Sequence, residues 1–353
     1  MLKLVFRLFD DSPATLRRKI VGIYALLIAF NVGAWIWAFI AFRGQPVLLG
    51  TALLAYTFGL RHAVDADHIA AIDNVTRKML QERRSPLGVG FFFSLGHSTI
   101  VVAMSIAVAL TAATLTTHFS QMKDLGGVIS TCVSAFFLLL LGSANLTILV
   151  SVFKTFRAVQ RGEPLVEEDL DLLLGNRGFL ARLFRPLFRL ASRSWHMYPI
   201  GFLFGLGFDT ATEVALFGIS ASQASGGMSV WSILALPLLF TAGMSLVDTT
   251  DGILMMGAYR WAFVRPIRKI YYNMTITFVS VLVAFVIGGV EALALAADKL
   301  SLKGPFWDAM GAIADHFGLL GYFVIGLFLL SWIVSALIYR IKRYDEIDVK
   351  LSV

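Results

Sequence analysis

Arg61-His62-Ala63-Val64-Asp65-Ala66-Asp67-His68-Ile69 lies inside a stretch, from about Val47 to Val75, that otherwise reads as membrane-spanning. Two imidazoles and two carboxylates therefore sit where hydrocarbon is expected. An ionisable group at the bilayer centre costs roughly 2.5–3.5 kcal/mol on the insertion scale, so it persists where it faces a partner, a cavity or a transported ion. Imidazole together with carboxylate is also a donor set that suits divalent first-row metals.

The rest of the chain is the composition of a polytopic membrane protein: 58% hydrophobic, 13% aromatic, 15% charged over 353 residues, with a mean hydropathy of +0.77. A soluble chain carries about 25% charge. Each helical span needs about 20 mostly apolar residues, and eight segments qualify, near residues 20–42, 48–74, 87–116, 126–153, 199–222, 230–257, 270–295 and 318–339. The expected fold is all-α, an integral membrane protein with eight transmembrane helices, with residues 1–353 forming one transmembrane domain.

Basic residues orient the spans, because Lys and Arg in short loops collect on the cytoplasmic side. Lys3, Arg7, Arg17, Arg18 and Lys19 precede the first span; Arg77, Lys78, Arg83 and Arg84, then Lys154 to Arg193, then Arg260, Arg265, Arg268 and Lys269, occupy alternate loops, and Arg340, Lys342 and Arg343 follow the last span. Both termini are expected in the cytoplasm. Positive-inside topology and anionic lipid account for the net charge of +7, so no nucleic-acid partner is implied. Asp10, Asp11 and the basic run break up the first twenty residues, which do not read as a cleavable signal peptide. Residues 154–198 read as a cytoplasmic loop in which Arg182, Arg185, Arg189 and Arg193 recur at helical spacing opposite Leu183, Phe184, Leu187 and Phe188, the pattern of a helix lying in the headgroup layer. The single cysteine, Cys132, excludes an intrachain disulfide and reads as packing.

Short echoes point to an internal repeat. Phe58-Gly59-Leu60 returns as Phe204-Gly205-Leu206, and Ser94-Leu95-Gly96-His97-Ser98 as Thr241-Ala242-Gly243-Met244-Ser245. Three spans separate the partners, so the repeats, spans 1–3 and spans 4–6, would run inverted as in many secondary transporters.

The polar residues of these spans are the candidate site: His62, Asp65, Asp67, His68 and His97, joined by Asp209, Thr212, Glu213, Asp248 and Asp251. Pairing among themselves accounts poorly for them, since the acids outnumber the one strong cation nearby, Arg61; an acidic excess facing a cavity suits a cation. On an unbroken helix His62, Asp65 and His68 share an arc of about 120° while Asp67 points away, unless the helix breaks here. Asp209, Thr212 and Glu213 share a face, as do Ser245, Asp248 and Asp251, and Asp251 is placed to orient a ligating histidine. His118, His196 and His316 fall at membrane ends.

His62-Ala63-Val64-Asp65-Ala66-Asp67-His68 resembles the signature of the nickel/cobalt permease family. Phe93 to Thr99, Leu206 to Glu213 and Gly243 to Asp251 resemble its other three signatures, in order and over almost the whole chain. The resemblance implies metal recognition by His62, Asp65, Asp67 and His68, and matches Asn31 to an asparagine that pairs with the second-span histidine. It implies a permease for high-affinity uptake of Ni2+ or Co2+ across the bacterial cytoplasmic membrane, the metal being substrate and not a resident cofactor. No Gly-x-x-x-x-Gly-Lys-Ser/Thr loop is present to cradle ATP, so ion gradients or the membrane potential would drive transport. The ligand set leaves direction open, with export as the alternative; an intramembrane metalloenzyme would be expected to carry a His-Glu-x-x-His helix, which is lacking.

Overall fold

Backbone groups surrounded by hydrocarbon must bond to one another, and a helix does so within a single segment. The computed structural model describes residues 16–82, 84–111, 116–161, 191–206, 211–262 and 266–341, and among these the chain is helical with no strand. The helices are α1 (Leu16–Ala41), α2 (Pro46–His62), α3 (Ala66–Gln81), α4 (Val89–Thr111), α5 (Thr116–Gln160), α6 (Met197–Phe204), α7 (Ala211–Ser225), α8 (Val230–Ile233), α9 (Ala235–Ala262), α10 (Pro266–Lys299), α11 (Pro305–Ala314) and α12 (Phe317–Ile341).

Among the described residues, six segments are long and apolar enough to cross a membrane: Leu16–Ala41, Val89–Leu110, Gly127–Lys154, Val230–Tyr259, Met274–Lys299 and Leu319–Tyr339. They coincide with six of the eight expected spans. The second expected span is a pair, α2 and α3, bent by 51°. The fifth is two short helices, α6 and α7, on either side of residues 207–210, which lie outside the described residues, as does the basic amphipathic stretch 177–189. α5 stays helical to Gln160, past the expected loop boundary at Lys154.

The break between α2 and α3 has a local cause. Val64 and Asp65 donate their N–H groups to Arg61 and His62, three residues back, which tightens the last turn of α2. Asp65 then takes an extended conformation, φ −65° and ψ 145°, at the N-cap of α3. An aspartate there would ordinarily accept from the first turn, yet its carboxylate makes no capping bond and faces His62 instead.

α3 carries Asp67, Asp73, Arg77 and Lys78 and is nonetheless almost wholly buried. α4, α5, α9, α10 and α12 all pack on it, so its charges meet protein rather than lipid. Two apolar clusters flank its N-terminus. One gathers Ala38, Ala52, Ile100, Leu216, Leu236 and Phe240 from α1, α2, α4, α7 and α9; the other gathers Ile72, Phe93, Leu138, Phe204, Val283 and Val324 from α3, α4, α5, α6, α10 and α12. Exposed Ile28, Ile36 and Ile40 on α1 and Phe323, Leu330 and Leu337 on α12 form the apolar outer surface.

Glycines permit close approaches between continuous and broken helices, Gly96 and Gly243 among them. A Cβ on Gly96 of α4 would collide with the Tyr198 carbonyl oxygen and stand 2.8 Å from the Phe202 nitrogen of α6; on Gly243 of α9 it would stand 2.8 Å from the Tyr56 oxygen and 3.2 Å from the Leu60 nitrogen of α2. Each glycine lets a continuous helix lie on the backbone of a broken one. Gly96→Val should lower stability by at least the ~1–3 kcal/mol typical of overpacking; an unchanged thermal unfolding midpoint in detergent would contradict this packing.

Candidate metal centre

α2 ends on His62, α3 begins next to His68, α4 presents His97, α7 presents Glu213 and α9 presents Asp248. All five side chains are buried, at 3% exposure or less. One nitrogen from each histidine lies within 4.8 Å of those of the others. The ring centroids stand 4.7 Å apart for His62–His68 and His62–His97 and 4.9 Å for His68–His97. Phe93 stacks edge-on to His68 at 4.7 Å, and Phe240 lies 5.5 Å from His62, so each apolar cluster lends one ring to the wall.

The spacing of the donor atoms is that of ligands around one ion. His62 Nε2 is 2.9 Å from His97 Nε2, which is 2.9 Å from Glu213 Oε1; His62 Nε2 and Glu213 Oε1 are 4.0 Å apart. Donors held about 2.1 Å from a metal stand about 3.0 Å apart at octahedral angles and about 4.2 Å when opposed.

The outer nitrogens of His62 and His68 are already engaged, whereas His97 Nδ1 is buried with no hydrogen-bond partner. His62 Nδ1 lies 3.1 Å from Asp65 Oδ2 and 3.5 Å from Thr212 Oγ1. His68 Nδ1 lies 3.4 Å from both oxygens of Asp248, while its Nε2 is buried with no hydrogen-bond partner. A histidine that donates one N–H to a carboxylate keeps its lone pair on the other nitrogen and holds its ring in place, the arrangement of carboxylate–histidine–metal triads. For His62 and His68 the unspent nitrogen is Nε2.

Of the expected site residues, the structure brings together His62, Asp65, His68, His97, Thr212, Glu213 and Asp248. The grouping of His62, Asp65 and His68 holds although the continuous helix behind that argument is broken. Asp67, half-buried in the first turn of α3, lies within electrostatic reach of His62 and His68. Asp209 lies outside the described residues. The carboxylate beside His68 is Asp248; Asp251, one turn on, has a buried oxygen without a partner and lines a cavity of about 780 Å3 with Thr250, Met255 and Tyr259. Asn31 donates to the carbonyls of Leu27 and Ala242 and accepts from the Tyr56 hydroxyl, with no bond to His62. Arg61, the cation expected nearby, is exposed.

The buried cation is instead Arg77, which sequence inspection placed in a loop. It donates to Asp73 at 2.8 Å, and Asp73 also accepts from Ser280 at 2.6 Å and from the Tyr259 hydroxyl. Beside them Asn145 donates to Asn74 at 2.6 Å. The i, i+4 spacing of Asp73 and Arg77 is the one sequence signal for this network. It ties α3 to α9 and α10 two turns beyond His68.

Fold and site together define a class: an α-helical multi-pass membrane protein whose broken helices enclose a dry centre of imidazoles and carboxylates. The model of the high-affinity nickel-transport protein family matches residues 48–338. The chain belongs to that family. It is 58% identical to a high-affinity nickel transport protein of Cupriavidus necator, covering 99% of this chain and 100% of the relative. It is 48% identical to a nickel transporter, NixA, of Staphylococcus aureus (91% and 94%), and 39% identical to a cobalt transport protein, NhlF, of Rhodococcus rhodochrous (93% and 94%). No solved structure matches.

Two substitutions separate the roles of these groups. Asp248→Asn should weaken nickel binding by about 10–100-fold, the usual effect of losing a carboxylate behind a ligand; calorimetric titration showing an unchanged affinity would remove Asp248 from that role. Arg77→Met leaves Asp73 buried without its cation and should cost about 3–5 kcal/mol of stability, with Asp73→Asn added in the same chain recovering part of it. Chemical denaturation in detergent reads both.

Proposed function

We propose that the protein is a secondary transporter that imports Ni2+ or Co2+ across the bacterial cytoplasmic membrane, binding the ion at His62, His68, His97 and Glu213. The observation that carries this reading is the convergence, at ligand spacing, of donors from three helix ends and the body of α4, deep between two apolar clusters. Asp65 and Asp248 orient the rings, and Asp67 and Asp251 serve as stations on the path. Relatives named for nickel and for cobalt support both ions as substrates. Such a chain moves its cargo and is not an enzyme.

The architecture that goes with this function has eight spans, the α2–α3 pair and the α6–α7 pair each crossing as a broken helix, with both termini in the cytoplasm. The inverted repeat is supported by matching contacts. Gly96 of the third span lies on the backbone of the fifth, and Gly243 of the sixth on that of the second. Transporters built this way bind their substrate at the helix breaks and alternate access by moving one repeat against the other.

Moving a divalent cation inward gains about 4.6 kcal/mol per 100 mV, twice the value for a single charge, which sustains roughly a thousandfold accumulation. Purified protein in proteoliposomes should therefore take up radioactive nickel when an inside-negative potential is imposed, and His62→Ala should abolish uptake. Accumulation that ignores the potential would overturn the energetic account, and net extrusion would reverse the direction. Acidification should weaken binding, because protons compete with the metal for imidazole lone pairs; titrating nickel affinity between pH 7.5 and pH 5.5 checks the sign.

A further inference from the structure

On the outer surface, away from the histidines, α5 and α12 flank α10 and leave a groove of about 1080 Å3. Its walls are apolar: Val150, Phe153, Met274, Phe278, Val334 and Ile338. The polar groups on its floor are spent on each other, Thr275 Oγ1 lying 3.0 Å from Ser335 Oγ. Among the described residues three cations and no acid stand at one end, Lys154, Arg157 and Arg161. At 100° per residue they fall within an arc of about 60° on α5.

The level of this cationic mouth follows from the helices themselves. The apolar stretch of α5 ends at Lys154, that of α10 begins at Met274 and that of α12 ends at Tyr339, and all three transitions occur at the same end of the groove. The mouth therefore sits where hydrocarbon gives way to headgroups. From Leu149 to Arg161 the groove follows α5 for about 18 Å, of which about 8 Å, up to Lys154, lies within the apolar stretch and the rest beyond it.

These cations also differ from the other basic residues of the same region. Arg77 is held by Asp73, and Lys78 and Arg84 lie 3.8 Å from Glu82. Lys154, Arg157 and Arg161 make no ion pair among the described residues; Arg157 rests its guanidinium 4.7 Å over the Phe153 ring, which holds it at the mouth. Basic pockets between transmembrane helices at headgroup level are recognition sites for anionic lipid.

We propose that this groove is a binding site for an anionic phospholipid, the phosphate held by Lys154, Arg157 and Arg161 and an acyl chain lying along Phe278, Val334 and Ile338. The site is independent of the metal centre. Occupied, it wedges lipid between α5 and α12, both of which pack on α3 and so border the metal-binding core.

The test uses the full-length protein in phosphatidylcholine vesicles containing a trace of spin-labelled phosphatidylglycerol or spin-labelled phosphatidylcholine, and reads the fraction of motionally restricted label. The wild type should favour phosphatidylglycerol at least fivefold, about the contribution of one cation near the surface, and the preference should shrink in high salt. The triple variant Lys154→Gln, Arg157→Gln, Arg161→Gln changes only exposed side chains and should bring the ratio close to one, whereas Lys299→Gln with Lys303→Gln, at the other end of α10, should leave it intact. Val334→Trp, which fills the groove with all three cations in place, should also lower it. An unchanged ratio in either groove variant overturns the proposal. So does displacement of the labelled lipid by excess glycerol phosphate, which would make the mouth a soluble-phosphate site.

Discussion

Taking charge out of water is what this molecule is organised around. α3 carries acids, Arg77 and Lys78 through the interior, and five other helices wrap it so that none of those charges meets lipid. Once α3 is enclosed, its N-terminus becomes a dry chamber, and the chamber is closed by rings from both apolar clusters, Phe240 and Phe93. Low dielectric strengthens every polar interaction inside and makes each unmatched group costly. The buried groups accordingly fall into sets that answer one another: histidine with carboxylate in the chamber, and Arg77 with Asp73 beyond it.

The two sets answer differently. Asp73 accepts from a guanidinium and two hydroxyls, and its charge is matched by Arg77. In the centre the carboxylates of Asp65 and Asp248 meet the Nδ1 atoms of His62 and His68, so His62 Nε2 stays turned toward His97 and Glu213 and His68 Nε2 stays buried with no hydrogen-bond partner. A structural network and a ligand-ready one lie two helical turns apart on the same helix, distinguished by whether a permanent cation completes the charge.

Much of this was legible in the chain. Polar residues in apolar spans mark themselves, because hydrocarbon tolerates so few, and His62, Asp65, His68, His97, Glu213 and Asp248 were all visible as exceptions. Six spans stood out by length and hydropathy alone. The fifth appears as two short helices, α6 ending at Phe204 and α7 beginning at Ala211, where hydropathy averaging sees a continuous segment. Arg77 read as a loop residue for a related reason: hydropathy treats every charge as a boundary, and only packing shows that this one is enclosed.

Composition and spacing by themselves determined that the chain lives in a membrane and that imidazoles and carboxylates were being kept inside at a cost. Which nitrogen faces which oxygen was decided only by tertiary structure. That Asp248 rather than Asp251 meets His68, that Asp65 turns from its capping role toward His62, and that Asn31 bonds to Tyr56 and Ala242 all depend on distances between helices far apart in sequence. Those distances are set by contacts such as Gly96 on α6 and Gly243 on α2. A helical periodicity fixes the direction of a side chain around its own axis, and carries no information on how near the neighbouring axis will come.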